Sequence, residues 1–427
     1  MADGLLNKAS IILTPTGYKA GTLYNVAPID EPYEDFDFAR TSTATRINSS
    51  GLISNVATGV PRISYDSNGD NGHILLEPTS TNLIPYSEDF TQTTTESNSV
   101  LVTSNQAISP DGTLNADKLI PASGSVQSNG GRYVSFSSTA GTDYSVSIFV
   151  KQAEYRYVTF TYGSSNAYGF HFDLQDGVIL QNINNAQYTG ISREVESLDN
   201  GWYRLKVSLT DENTAYNRFI SVRPANAIPT ATNNNYSTIG DGTSGIYAWG
   251  FQLEQLSYAT SYIPTLTGST ETRATETANG AGSADLINST EGVLYAEIAA
   301  LADDGTFRIL GLSDGTTNNR VLLYYTSTSN QIRYIVESSG VRGVDSTYVL
   351  SSTLDFHKVA VKYKTNDFAL WINGVERAND TSGSAPIGLN QLLFDDGAGS
   401  APFYGKCKSL AVFNEALSDD ELNNLTG

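Results

Sequence analysis

Three short runs of acidic residues are the part of this chain that most resembles acid–base machinery. The runs are Asp303-Asp304, Asp395-Asp396 and Asp419-Asp420-Glu421. Hydrolysis of a glycosidic bond needs two carboxyl groups that converge on the bond from opposite sides. Acids that are adjacent in a strand point their side chains apart. These acids also lie in predicted loops or at a predicted helix cap, where structural or solvent-facing roles are usual. We therefore expect no enzyme.

Histidine and cysteine give no sign of a metal centre or a nucleophile. His73, His171 and His357 are far apart in the sequence, and Cys407 is the single cysteine. A zinc site needs several such ligands at short spacing, and a catalytic triad needs a histidine between a hydroxyl and a carboxylate. We therefore expect neither, and we interpret Cys407 as a buried, inert thiol in a strand.

Calcium is the one metal that the sequence leaves open, because oxygen ligands leave weak traces in a sequence. Calcium takes six to eight oxygen ligands at loosely constrained angles. Asp303, Asp395 and Asp396 stand in predicted loops and are the candidate ligands. Apart from this candidate ion, the sequence indicates no cofactor.

The composition excludes nucleic acid as a partner and favours β-structure. The chain has 427 residues and a formal net charge of −20. It contains no run of five or more lysines and arginines, so binding to a phosphate backbone has no electrostatic basis. Charged residues make up only 16%, whereas 37 glycines and 25 tyrosines favour turns and strands. We expect an all-β protein of two or three domains.

Alternating apolar and polar residues predict strands through the second and third parts of the chain. The alternation is clear in the run from Trp202 to Leu209, where every second residue shares a face. Turn residues separate such runs at short intervals, which predicts antiparallel β-sandwiches. We expect one sandwich over residues 86–265 and a second over residues 266–427, and we interpret Trp202, Trp249 and Trp371 as core residues.

Two local signals in the last part of the chain have a defined geometry. Asn373-Gly374 predicts a two-residue type I′ hairpin turn, since both positions need a positive φ. Ser418 and Glu421 form a capping box at the start of a short final helix. We expect that helix to be the only regular α-structure.

Residues 1–85 lack regular periodicity, because prolines interrupt their short apolar islands. We expect an irregular segment that is ordered only by lying against something else. Its compact apolar patch predicts either an ordinary first strand or an anchor that docks on a partner protein by β-augmentation. The candidate anchoring residues are Leu5, Leu6, Ile11, Ile12 and Leu13.

The first residues show no secretory signal and no membrane span. The apolar run from Ile11 to Leu13 is far shorter than the apolar core of either. We therefore expect synthesis in a cytoplasm without membrane insertion.

Three sets of short strings resemble known families. Residues 36–90 resemble a segment of tailed-bacteriophage fibre and tail proteins, in the strings Phe38-Ala-Arg-Thr-Ser-Thr-Ala-Thr-Arg-Ile-Asn48, Gly51-Leu-Ile-Ser-Asn-Val56 and Ile74-Leu-Leu-Glu-Pro-Thr-Ser-Thr-Asn-Leu83. Residues 86–265 resemble the jelly-roll carbohydrate-binding modules of such fibres, in Ala116-Asp-Lys-Leu119, Asp199-Asn-Gly-Trp-Tyr-Arg204 and Ala248-Trp-Gly-Phe-Gln-Leu-Glu254. Residues 290–427 resemble the concanavalin A-like, laminin-G-type sandwich, in His357-Lys-Val-Ala-Val-Lys-Tyr363, Leu370-Trp-Ile-Asn-Gly-Val375 and Leu410-Ala-Val-Phe413.

These resemblances imply a fibre or spike on the exposed surface of a tailed-phage virion, on the head or the tail. Its sandwiches would bind a glycan or protein of the host surface, and its N-terminal segment would bind other virion proteins. Several weak sites on one oligomer would give avidity, with a trimer as the first expectation and a dimer as the second.

Two alternatives stay open, a polysaccharide depolymerase and a purely structural capsid decoration protein. Glycosidases of the concanavalin A-like family carry their carboxylates in a Glu-x-Asp-x-x-Glu string, and this chain has no such string. The sequence does not select the residues that would contact a glycan.

Overall fold

The computed structural model shows an all-β protein, which confirms the predicted fold class. It describes residues 4–15, 18–19, 21–27, 35–93, 95–97, 100–126, 131–163, 167–212, 217–229 and 238–427. No described helix is both long and apolar enough to cross a membrane.

The first part of the chain forms short strands. They are β1 (Ala9–Leu13), β2 (Tyr18–Lys19), β3 (Thr22–Leu23), β4 (Phe36–Ala39), β5 (Ala44–Ile47), β6 (Ile53–Val56), β7 (Ile63–Ser64), β8 (His73–Leu76) and β9 (Ser80–Asn82).

The middle part, which we call the jelly-roll sandwich, begins with a one-turn helix that the sequence does not predict. Its elements are α1 (Phe90–Thr93), β10 (Thr95–Ser97), β11 (Val100–Ile108), β12 (Leu114–Pro121), β13 (Gly124–Val126), β14 (Gly131–Ser137), β15 (Thr142–Gln152), β16 (Tyr157–Tyr162), β17 (Tyr168–Asp173), β18 (Val178–Ile183), β19 (Tyr188–Ser197), β20 (Trp202–Asp211), β21 (Asn217–Ala225), β22 (Thr238–Gly240) and β23 (Ile246–Glu254).

The last part contributes most of what we call the C-terminal sandwich. Its elements are β24 (Glu271–Arg273), β25 (Thr277–Asn279), β26 (Glu291–Ala300), β27 (Arg308–Ser313), β28 (Arg320–Tyr325), β29 (Gln331–Ser338), β30 (Val341–Val349), β31 (His357–Lys364), β32 (Phe368–Ile372), β33 (Val375–Asp380), β34 (Gln391–Leu393), β35 (Gly405–Phe413) and α2 (Asp419–Thr426).

Two sheets face each other in the jelly-roll sandwich. One has the order β10-β14-β21-β16-β17-β18 and the other β11-β12-β23-β15-β20-β19. Alternate residues of each strand point inward, so that Phe160 of one sheet and Leu205 and Val207 of the other lie in one core with no exposed surface. The tryptophans Trp202 and Trp249 are also buried, as predicted.

The C-terminal sandwich recruits strands from both ends of the chain. Its larger sheet has the order β33-β32-β31-β26-β35-β8-β7, with β1 also paired to β35, and its second sheet has the order β30-β29-β28-β27-β34. Strand β8 pairs with residues 405–407 of β35, and β1 pairs with residues 410–413 of the same strand. Short pairings of β9 with β24 and of β4 with β25 tie the first part to the last part again.

This arrangement differs from the predicted irregular segment over residues 1–85. Ile11, Leu13, Ile74 and Leu76 fill the core of the C-terminal sandwich, because their strands alternate inward-facing apolar residues at the edge of its larger sheet. A boundary at residue 85 therefore does not coincide with a structural boundary, since the sandwich contains residues from both sides of it.

Both local signals of the last part are confirmed. Asn373 and Gly374 have φ angles of 49° and 77°, and Ile372 pairs with Val375 across the turn. Ser418 and Glu421 form the capping box of α2. That helix lies on the hairpin, where the Gly374 amide donates a 3.0 Å hydrogen bond to Thr426 Oγ1.

Replacement of Gly374 by valine is expected to lower the Tm of the C-terminal sandwich. A β-branched residue in the left-handed region costs about 1–2 kcal/mol, and a Cβ atom here would lie 3.3 Å from Gly427 Cα. Calorimetry should show one unfolding transition shifted downward and the transition of residues 86–265 unmoved. Gly343→Val in the exposed strand β30, where φ is not positive, is the matched control. An unchanged Tm for Gly374→Val would contradict the turn assignment.

Candidate functional site

A cleft of about 590 Å³ lies where the first part of the chain, the jelly-roll sandwich and the C-terminal sandwich meet. Its volume is in the range of sites that hold small ligands. Residues from all three parts line it, including Tyr65, Asp66, Asn71, His73, Glu77, Glu194, Glu196, Arg204, Lys206, Ser261, Tyr262, Phe356, Lys406 and Lys408. The cleft therefore exists only when the three parts are assembled.

A buried group of charges, which we call the arginine–glutamate cluster, joins the first part of the chain to the last part beside the cleft. Its members are Arg40, Arg62, Glu77, Arg273 and Glu276. Arg40 Nη1 lies 2.7 Å from Glu276 Oε1, and Arg62 pairs with both Glu276 and Glu77. Arg273 Nη1 lies 3.0 Å from Glu77 Oε2. Burial alone would raise the pKa of Glu77, but the charges of Arg273 and Arg62 lower it to about 2.

The segment that joins the two sandwiches contacts both the cluster and the cleft. Ser261 donates from its amide to Glu77 Oε1 at 2.8 Å and from its hydroxyl to Glu77 Oε2 at 2.6 Å. The carbonyl oxygen of Tyr262 accepts from Thr45 Oγ1 at 2.5 Å. These bonds hold an extended segment without strand partners in one conformation, which keeps the deep end of the cleft in place.

One wall comes from adjacent strands of the jelly-roll sandwich. Lys206 of β20 lies 2.9 Å from Glu196 of β19, and both side chains keep some exposed surface. Burial alone would raise the pKa of Glu196, but Lys206 and Arg204 lower it to about 2. Arg204 is engaged elsewhere, since its Nη2 donates to the carbonyl oxygen of Thr260 at 2.8 Å. This wall presents an ionised carboxylate that is already paired.

The opposite wall comes from the outer face of the C-terminal sandwich. Lys406 and Lys408 alternate with the buried Cys407 on β35, so both ammonium groups point away from the core. Lys408 Nζ lies 4.1 Å from the centroid of the Phe356 ring, which is a cation–π contact. Phe356 is half-buried and lies 5.7 Å from the His73 ring, measured between centroids.

A tight loop of the first part forms the rim. The Asp66 carboxylate accepts from Asn71 Nδ2 at 2.6 Å and from the Asp70 amide at 2.8 Å. These bonds lower the pKa of Asp66. His73 Nδ1 lies 3.0 Å from the carbonyl oxygen of Asn71, and burial lowers the pKa of His73 to about 4. The imidazole is therefore neutral at pH 7, with its Nδ1 proton donated to that carbonyl.

The lining is suited to binding a polyhydroxylated ligand. It combines half-buried aromatic rings, Tyr65 and Phe356, with amide, hydroxyl and charged groups that lie within the same cavity. Sugars bind in this way, because their apolar faces contact aromatic rings while their hydroxyls exchange hydrogen bonds with polar side chains.

The residues that we predicted as an anchor lie inside the protein. Leu5, Ile11, Ile12 and Leu13 are all buried in the C-terminal sandwich, and the side chain of Leu6 lies outside the described residues. Ile12 and Leu5 pack with Trp371 and with Leu422 of α2. The open strand edge that the apolar patch joins belongs to the same sandwich, so the patch is buried within the protein. These side chains are therefore not available to a partner protein.

The candidate calcium ligands do not converge. Asp303 accepts hydrogen bonds from the Asn330 amide, whereas Asp395 accepts from Asn279 Nδ2 at 2.8 Å and from the Gly397 amide at 2.7 Å. Asp396 Oδ1 accepts from the amides of its own loop. Among the described residues, no group of three histidine, cysteine, aspartate or glutamate side chains could hold a metal ion.

Cys407 is buried, and burial raises the pKa of its thiol to about 12, in accord with the predicted inert role.

The cleft residues themselves were missed by sequence reasoning. Lys406 and Lys408 gave a usable signal, since two outward lysines on one strand indicate a polar face, but their partners across the cleft come from strands about 200 residues away.

Several solved structures are similar to part of this chain. The IT-sialidase CBM40 of Ruminococcus gnavus, solved with alpha2,3 sialyllactose, has 21% identity and a TM-score of 0.30, over 35% of this chain and 88% of that chain. Domain 4 of AbnA, a GH43 extracellular arabinanase from Geobacillus stearothermophilus, has 13% identity and a TM-score of 0.29, over 36% of this chain and 73% of that chain. The heptameric SAP-like pentraxin of Limulus polyphemus has 12% identity and a TM-score of 0.25, over 32% of this chain and 70% of that chain.

A search of the curated proteins gives no match. A family model gives a more specific result for the last part of the chain. Residues 274–423, which contain most of the C-terminal sandwich, match the model of the concanavalin A-like lectin/glucanases superfamily.

Proposed function

We propose that this chain is a non-enzymatic adhesion protein that binds a surface glycan in the cleft between its sandwiches. The observation that carries the proposal is the half-buried Phe356 ring, which lies among amide, hydroxyl and charged groups in a cavity of about 590 Å³. The match of residues 274–423 to a superfamily that includes lectins supports a carbohydrate ligand.

We further propose that the protein is a fibre or spike of a tailed-phage virion, on its exposed surface. Support for this comes from the strings of residues 36–90, which resemble a segment of phage fibre and tail proteins. A homo-oligomer, with a trimer first and a dimer second, would convert weak cleft affinities into firm attachment to a host surface. Attachment to other virion proteins would then use surfaces other than the buried strand β1.

A binding role agrees with the cleft better than a depolymerase role does. A glycosidase needs one carboxyl group that is protonated near neutral pH to donate a proton to the leaving oxygen. The pKa of Glu196 is lowered to about 2, and its partner Lys206 holds it ionised. Glu194 lies on the same strand face two residues away, with an exposed side chain, so the two carboxylates do not face each other across a bound sugar.

Replacement of Phe356 by alanine is expected to weaken glycan binding about tenfold or more, because the ring's contact with an apolar sugar face is lost. Glycan-array screening of the full chain would identify the ligand, and titration calorimetry would compare the variant with the parent. Phe307→Ala is the matched control, since Phe307 is 44% exposed and does not line the cleft. Equal affinities of Phe356→Ala and the parent would refute the cleft as the site.

The same samples discriminate the alternatives. Release of new reducing ends from host envelope polysaccharide would indicate a depolymerase. Absence of binding to intact host cells, together with particles that lose stability without the protein, would indicate a decoration protein. Labelled protein seen by electron microscopy on the head or the tail of a particle would locate it.

A further inference from the structure

The cleft carries more positive charge than the rest of this acidic chain. Five cationic side chains line it (Arg46, Arg204, Lys206, Lys406 and Lys408), against four carboxylates (Asp66, Glu77, Glu194 and Glu196). The whole chain has a net charge of −20. An anionic ligand that approaches most of this surface is repelled, whereas the cleft offers it a locally cationic environment.

Most of these cations already have partners within the protein. Lys206 pairs with Glu196 at 2.9 Å, and Arg204 donates to Ser147 and to the carbonyl oxygen of Thr260. Lys408 lies 3.6 Å from Glu297, donates to Asn71 Oδ1 at 3.1 Å and contacts the Phe356 ring. These groups have little capacity left for a ligand.

Lys406 is different, because its ammonium has no hydrogen bond or ion pair with any described residue. It is half-buried on β35, where Ala299 of β26 pairs with it on one side and Leu75 of β8 pairs with it on the other. The charges that act on it from a distance are those of Glu196, Lys206, Glu77 and Glu194. Burial lowers the pKa of Lys406, as expected for an ammonium that has lost water without gaining a partner.

We propose that Lys406 binds the anionic group of an acidic sugar, so that the cleft selects glycans that carry a carboxylate or a sulfate ester over neutral ones. This inference rests on the proposed glycan-binding function and names the ligand class. Phe356 and Tyr65 would contact the apolar faces of the sugar, and Ser67 and Asn71 at the rim would bond its hydroxyls. The anion of the ligand would complete the coordination of an ammonium that the protein leaves incomplete.

The experiment compares three ligands by titration calorimetry with the full chain. They are a galacturonic acid trisaccharide, its methyl ester, and the neutral galactose trisaccharide. The acid is expected to bind about tenfold to a hundredfold more tightly than the ester, because a hydrogen bond between charged groups is lost in the ester. A sulfated galactose trisaccharide that binds as tightly would show that sulfate serves as the anion too.

Lys406→Met keeps the aliphatic stem and removes the charge, so it should abolish the preference for the acid over the ester. Lys364→Met is the matched control, because Lys364 lies on the same sheet, outside the cleft lining, in an exposed pair with Glu291. The ester comparison uses the unaltered protein and so stands even if Lys406→Met fails to fold.

Two results separate this inference from the proposed function. Equal affinity of the unaltered protein for acid, ester and neutral trisaccharides, with binding lost in Phe356→Ala, would overturn the role of Lys406 and leave glycan binding intact. Preference for the acid that persists unchanged in Lys406→Met would also overturn it. Absence of any binding, across these ligands and a glycan array, would overturn both.

Discussion

Replacement of Glu276 by glutamine is expected to lower the free energy of unfolding by about 3–5 kcal/mol, the cost of breaking a buried ion pair from one side. Glu276 accepts from Arg40 and Arg62, and all three side chains are fully buried. Without its charge, three buried guanidinium groups would share the single carboxylate of Glu77. Urea unfolding followed by tryptophan fluorescence measures the change.

The control is Glu271→Gln, a charge removal at an exposed position five residues earlier. It should change the free energy of unfolding by less than about 0.5 kcal/mol. Because the cluster joins the first part of the chain to the segment between the sandwiches, Glu276→Gln should also loosen the cleft. A Glu276→Gln protein as stable as the parent would show that water or relaxation compensates the buried arginines.

Deletion of residues 1–13 is expected to cost the C-terminal sandwich at least about 5 kcal/mol. Burial of one large aliphatic side chain contributes roughly 1.5–3 kcal/mol, and Leu5, Ile11, Ile12 and Leu13 are all buried. The deletion also exposes the edge of β35 at residues 410–413 and removes the ion pair between Lys8 and Glu421. Calorimetry of the shortened chain would detect the loss.

Deletion of residues 1–4 leaves β1 intact and serves as the control, with no change in Tm expected. The outcome decides between the two readings of the apolar patch that the sequence leaves open. A chain lacking residues 1–13 that is as stable as the parent, yet fails to join a particle, would restore the anchoring role.

The sequence was sufficient wherever the signal was local or periodic. The turn at Asn373-Gly374, the cap at Ser418 and the alternation that buries Leu205 and Val207 depend on residues a few positions apart. Each follows from backbone geometry that the neighbouring residues already specify.

The sequence was insufficient wherever partners are distant. Arg40 forms its buried ion pair with Glu276, which lies 236 residues away in the sequence. The patch of Leu5 to Leu13 has a strand partner at the other end of the chain. Neither alternation nor composition specifies which of several open edges a strand will join, so the cleft built from these pairings could not be predicted either.

The position of β35 has a consequence for the order in which the chain can fold. Ala9 pairs with Phe413 and Leu76 pairs with Gly405, so β1 and β8 cannot join β35 until that strand has left the ribosome. At about 5–20 residues per second, those apolar strands wait for roughly 20–80 s. The jelly-roll sandwich, whose strands are contiguous in sequence, can form during that interval. Completion of the C-terminal sandwich is therefore a late, long-range step, and the cleft and its ligand affinity should arise only when that step is finished.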